Sequence, residues 1–106
     1  MAEGVIELTK TEFESFIKNG NVLIDFFADW CMPCLMMAPV LEELSEEFKG
    51  KIKFGKINVD DNQELSQKFS VMSIPNFVLF KEGKISERFI GAVPAEDFSE
   101  KLKKAL

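Results

Sequence analysis

Two cysteines, Cys31 and Cys34, are the only ones in the chain, and they sit where one kind of apolar pattern gives way to another. Before them runs Val22-Leu23-Ile24-Asp25-Phe26-Phe27-Ala28, a short apolar stretch that reads as a buried strand. After them, Met37, Leu41, Leu44 and Phe48 follow at i, i+4, i+7 and i+11, one face of a helix. Cys31 therefore falls at a helix entrance, near free backbone N–H groups and the positive end of the helix dipole. That setting stabilises a thiolate, the form of cysteine that attacks disulfides.

A pair with two residues between its members restricts the alternatives. A bridge between positions 31 and 34 closes too small a loop to restrain much of the unfolded chain, so a purely structural disulfide gains little. With no histidine in the chain, the cysteines supply two of the four ligands of a structural zinc site, and zinc would need a dimer sharing four thiolates. Redox chemistry is the favoured reading, as a C-x-x-C beside a strand–helix pattern suggests.

The chain has 106 residues, the length of one domain, 1–106, and enough to bury a core without disulfide staples. A hydrophobic fraction of 46% with eleven phenylalanines is that of a globular protein. The net charge of −5 and the scattered basic residues leave no footprint for nucleic acid. No apolar run reaches the roughly 20 residues that span a bilayer. Met1-Ala2-Glu3-Gly4 lacks the basic-then-apolar pattern of a secretory signal, which points to the cytoplasm.

Val5–Leu8 reads as a first strand, and Thr9 with Glu12 as a capping box that opens a helix carrying Phe13, Phe16 and Ile17. The strand at 22–28 and a helix to about Phe48 follow. Pro33 suits the first turn of that helix, and Pro39 predicts a kink inside it. Residues 52–59 read as a strand. Asp60, Asp61 and Asn62 offer caps for a short helix with Leu65 and Phe69. Asn76–Phe80 is a buried strand, joined by a turn at Lys81–Lys84 to a strand over Ile85–Ile90 that Gly91 breaks. Pro94 opens a last helix that buries Phe98 and Leu102. Phe13, Phe16, Phe26, Phe54, Phe77 and Phe80 are core by pattern, and Met36 and Met37 are assigned to packing. The order β-α-β-α-β-α-β-β-α predicts an α/β fold. Its central mixed sheet has about five strands, the first three parallel and the last two an antiparallel hairpin, flanked by four helices on both faces. Asp25, within an apolar strand, is expected to be buried, with desolvation raising its pKa.

Asp25-Phe26 with Ala28, Trp30-Cys31-x-Pro33-Cys34, Ala38-Pro39, Lys56 in Lys-Ile-Asn-Val-Asp, Ile74-Pro75, Phe80-Lys81-x-Gly83 and Gly91 together resemble the thioredoxin family over essentially the full length. The resemblance implies the thioredoxin fold and a protein-disulfide reductase, an oxidoreductase carrying electrons in cell redox homeostasis. It needs no bound cofactor or metal beyond a redox-active Cys31–Cys34 disulfide. By the same resemblance Cys31 is the attacking thiol, exposed at the helix start, and Cys34, more buried, resolves the mixed disulfide. Asp25 exchanges protons with Cys34, and the Lys56 ammonium pulls the Asp25 pKa back down. Pro75 is a cis-proline facing the cysteines, turning the Ile74 backbone toward an extended substrate. Trp30, Met32, Pro33, Ile74, Pro75, Gly91 and Ala92 become substrate-binding residues, with Val93 completing an apolar rim. The implied partners are disulfide-containing proteins and a thioredoxin reductase or equivalent electron donor, with no nucleic acid, no membrane, and a monomeric state.

Three positions depart from the family's usual residues: Met32 for glycine, Phe27 for tryptophan and Leu35 for lysine. They leave the reaction type intact and bear on the reduction potential and partner preference. Rival readings are an oxidant or isomerase, a glutathione-using relative, and a redox-silent subunit of a larger complex.

Overall fold

The computed structural model describes residues 4–106, so Met1–Glu3, part of the stretch read for a leader, lie outside the described residues. Nine elements follow one another: β1 (Val5–Leu8), α1 (Lys10–Ile17), β2 (Asn21–Phe27), α2 (Met32–Glu47), β3 (Lys53–Asn58), α3 (Gln63–Lys68), β4 (Asn76–Lys81), β5 (Lys84–Ile90) and α4 (Ala95–Ala105). The strands form one sheet in the order β1-β3-β2-β4-β5. β1 and β2 run parallel to β3, while β4 is antiparallel to β2 and to β5. The α/β fold with a mixed five-stranded sheet is the one expected.

β2 is the middle strand, and side chains alternate across it to fill two cores. Val22, Ile24 and Phe26 join Phe13 and Ile17 of α1 and Leu65 of α3 on one face. On the other, Leu23 packs with Met37, Leu41 and Leu44 of α2 and Phe98 and Leu102 of α4. Asp25 falls in the second set by the same alternation, so a carboxyl is carried into an apolar layer beneath α2. At its far end α2 is tied to α4, where the Ser99 hydroxyl donates to Glu47 at 2.7 Å and Lys103 pairs with the same carboxylate at 3.4 Å.

Local signals perform as the chemistry requires at most boundaries. The Thr9 backbone N–H donates to the Glu12 carboxylate at 3.1 Å, which also takes the Thr9 hydroxyl and is thereby held below the ordinary glutamate pKa. Glu82 and Gly83 both adopt positive φ, the geometry of a tight two-residue hairpin turn. Asn62 stands at the start of α3 without capping it through its side chain. Its Oδ1 instead accepts from the Lys10 amide at 3.2 Å and its Nδ2 donates to the Asn58 carbonyl at 2.9 Å, so it stitches α1 to the end of β3. α2 continues through Pro39, whose missing N–H deprives the Leu35 carbonyl of its usual partner.

Two packing expectations need correction. Phe16 is only half-buried, because it lies at the rim of α1, where the Lys53 ammonium sits 4.5 Å from its ring centre. Met36 is 67% exposed, not packed. The first turns of α2 carry apolar residues on every side, so spacing alone does not say which of them face the core. Val93 is half-buried and packs on the core beneath α2 as well, its amide 3.4 Å from the Met37 sulfur.

Candidate active site

The cysteines occupy the turn between β2 and α2. Cys31 is the residue that caps α2, with extended backbone (φ −90°, ψ 105°), and its amide donates to the Ala28 carbonyl at 3.2 Å. Pro33 follows inside the first turn, where an N–H has no helical partner to lose. The Cys34 amide does need one, and it donates to Cys31 Sγ at 3.2 Å. A thiolate at Cys31 would accept the same amide at the positive end of a helix of 16 residues, and both interactions favour the anion. The two cysteines form a disulfide, with Cα atoms 5.2 Å apart.

The expected contrast between an exposed Cys31 and a more buried Cys34 is absent in this disulfide form: each is 4% exposed. Bonded sulfurs shield each other, and Ala28, Ile74 and Val59 close around both. What separates them is the direction in which each opens. Cys31 lines a groove of about 740 Å³ with Trp30, Met32, Pro33, Met72 and Ile74. Cys34 lines a separate pocket of about 170 Å³ that also holds Asp25 and Lys56.

Asp25 is 4% exposed, and its Oδ1 has no hydrogen-bond partner. Burial pushes its carboxyl up to about 7, and the Lys56 ammonium pulls against that rise. Lys56 stands opposite Asp25 in the β2–β3 register, half-buried, with its ammonium 5.2 Å from the centre of the Phe27 ring. Apolar surroundings thus hold the proton on Asp25, and one cation limits how firmly.

Pro75 is buried and joined to Ile74 by a cis peptide bond, as expected. Gly91 takes positive φ and its amide donates to the Pro75 carbonyl at 2.8 Å, which ties the end of β5 to the proline loop. Ala92 is exposed beside it. None of these three lines the groove, whereas Trp30, Met32, Pro33 and Ile74 do.

Sequence reasoning missed the far bank, formed by Val59, Asp60, Gln63, Ser66, Gln67 and Met72. Asp60, expected as a helix cap, instead accepts the Trp30 indole N–H on its carboxylate at 2.9 Å, pinning a side chain that is 71% exposed. Asn58 accepts the Asp60 amide at 2.9 Å and reaches Asp29 at 3.4 Å, so the end of β3 braces the cysteine turn. A usable signal was present. Gln63, Ser66 and Gln67, at i, i+3 and i+4, mark the polar face of α3 opposite Leu65.

Among the described residues, no three His, Cys, Asp or Glu side chains gather as a metal site, and no helix is long and apolar enough to cross a membrane. The thioredoxin family model matches residues 4–104. Thioredoxins of Staphylococcus aureus strains Mu50, MW2 and N315 are each 41% identical over 102 residues, 96% of this chain and 98% of the relative. Members of this family carry no cofactor, act through a redox-active disulfide, and imply disulfide substrates and a reductase as electron donor. With a cysteine pair joined at the head of α2 and this likeness along nearly its whole length, the chain belongs to the thioredoxin family as a protein-disulfide oxidoreductase working by dithiol exchange.

Proposed function

We propose that Cys31 is the attacking thiolate, Cys34 the resolving thiol and Asp25 the group that takes its proton, in a reductase of protein disulfides. One observation carries the reading: Cys31 opens onto the large, mostly apolar groove, while Cys34 opens onto the pocket of Asp25 and Lys56. A substrate disulfide enters from the groove side. The Cys31 thiolate attacks one of its sulfurs, the substrate S–S bond breaks, and the other substrate sulfur leaves as a thiolate. Asp25, ionised at a pH near its pKa of about 7, accepts the Cys34 proton. Cys34 then attacks the Cys31 sulfur, the mixed disulfide breaks, and the second substrate thiolate departs, leaving Cys31–Cys34 oxidised.

Trp30, Met32, Pro33 and Ile74 contact the substrate along the groove, and Pro75, Gly91 and Ala92 hold the adjoining loop against which an extended segment lies. Lys56 tunes Asp25. Residues 1–106 act as one domain and as a cytoplasmic monomer, without nucleic-acid or membrane partners. The net charge of −5 disfavours polyanions, and an apparent mass in solution near 12.0 kDa is expected for the monomer.

Trapping tests the assignment of roles. Cys34→Ser is expected to accumulate mixed disulfides with protein substrates, and Cys31→Ser to trap none and leave insulin unreduced. The reverse pattern, read by non-reducing gel and mass spectrometry, would exchange the two roles.

A further inference from the structure

We infer that the exposed thioethers of Met32, Met36 and Met72 are peroxide-modification sites that convert the rim of the substrate groove from apolar to polar. The chain has five methionines. Met37 is 2% exposed in the core, and Met1 lies outside the described residues. The other three are 65%, 67% and 92% exposed. They are not scattered. Met32 and Met72 reach the groove from two different segments and line it together with Cys31. Met36 follows Met32 by one helical turn and so extends the same face of α2.

A thioether at such a place is apolar and adaptable, which suits varied apolar partners. It is also open to oxidants. Hydrogen peroxide transfers one oxygen to sulfur: the O–O bond breaks, an S–O bond forms, the sulfur loses two electrons and water leaves. The product is a polar, chiral sulfoxide that no longer packs on an apolar segment. The disulfide form directs the oxidant to these sites, because its cysteine sulfurs are bonded to each other and each residue is 4% exposed. Peroxide therefore marks the oxidised protein on its rim, and the mark acts after the cysteines are reduced again. A methionine-sulfoxide reductase reverses it.

The inference rests on the groove being the substrate surface, so the test separates the two. The disulfide form is treated with hydrogen peroxide, freed of it, and reduced with dithiothreitol. Peptide mass spectrometry then locates added oxygen, and rate constants are measured with insulin and with 2-hydroxyethyl disulfide. One oxygen is expected on each of Met32, Met36 and Met72, and none on Met37. The insulin rate constant should fall on the order of tenfold, the scale on which a pocket senses one small apolar group, while the small disulfide changes by less than about twofold. The triple variant M32L/M36L/M72L should show the same insulin rate before and after peroxide. Unmodified thioethers, an insulin rate that survives full oxidation, or equal slowing of both substrates would overturn the inference. Untreated protein that cannot reduce insulin would instead strike at the reading of function, before any peroxide is added, and take the inference with it.

Discussion

Asp25 keeps its proton at a pH where surface carboxylates have lost theirs, and that has a cost to folding that can be measured. Its ordinary value of 3.8 is raised to about 7 by burial, so between these two values the folded state binds more protons than the unfolded one. Stability therefore falls as pH rises through that window. The penalty reaches roughly 4 kcal/mol above pH 7. Asp25→Asn is expected to match the parent near pH 3.5 and to exceed it by a few kcal/mol at pH 8, as read by urea denaturation. A variant no more stable than the parent at pH 8 would mean that Asp25 is not desolvated. Its activity should move the other way: if Asp25 accepts the Cys34 proton as proposed, the rise in disulfide reduction across pH 6 to 8 should flatten. Lys56→Met, which removes the cation opposing the shift, should move the parent's activity rise to higher pH. Asp25 was legible in the sequence because one charge interrupted an apolar strand. Asp60 was not, since its role depends on where the Trp30 indole comes to rest, and no local spacing encodes that.

Elements were legible in proportion to their local signals. The β2–α2 junction was readable because an apolar run, a capping position and a proline in the first turn all agree. The groove's far bank was not. The polar face that Gln63, Ser66 and Gln67 mark on the six-residue α3 reads equally as an ordinary solvated face, so the spacing alone does not assign it to a site. Methionines on α2 were ambiguous for a different reason, since apolar residues surround its first turns. Packing at the middle of the sheet sets a sharper constraint. Gly55 of β3 lies under α1, and a Cβ there would come within 2.8 Å of Leu8, 3.0 Å of Phe16 and 3.2 Å of Ile24. Gly55→Ala should cost about 1–3 kcal/mol, the usual range for overpacking. Thermal denaturation checks this, and an unchanged midpoint would show that the Leu8 and Phe16 side chains both give way without loss of packing.

At the scale of the molecule, stability resides in the two cores on either side of the sheet, not in the bond between the cysteines. A link spanning positions 31 to 34 constrains the unfolded chain by only about 2 kcal/mol in the chain-entropy account, against about 4.7 for a loop of a hundred residues. The reduced protein is thus expected to unfold cooperatively at a urea concentration lower by about 1 M, and loss of cooperativity on reduction would contradict this. The catalytic cycle needs such tolerance, because the bond is made and broken at every turnover. The cysteine pair also has two faces. On the proposed roles, a client polypeptide seated over Cys31 leaves the chamber under Cys34 uncovered, so that hydrogen ions would come and go from the rear while the front is occupied. The same roles would let changes along the front redirect the protein to new clients without disturbing the acid–base chemistry behind.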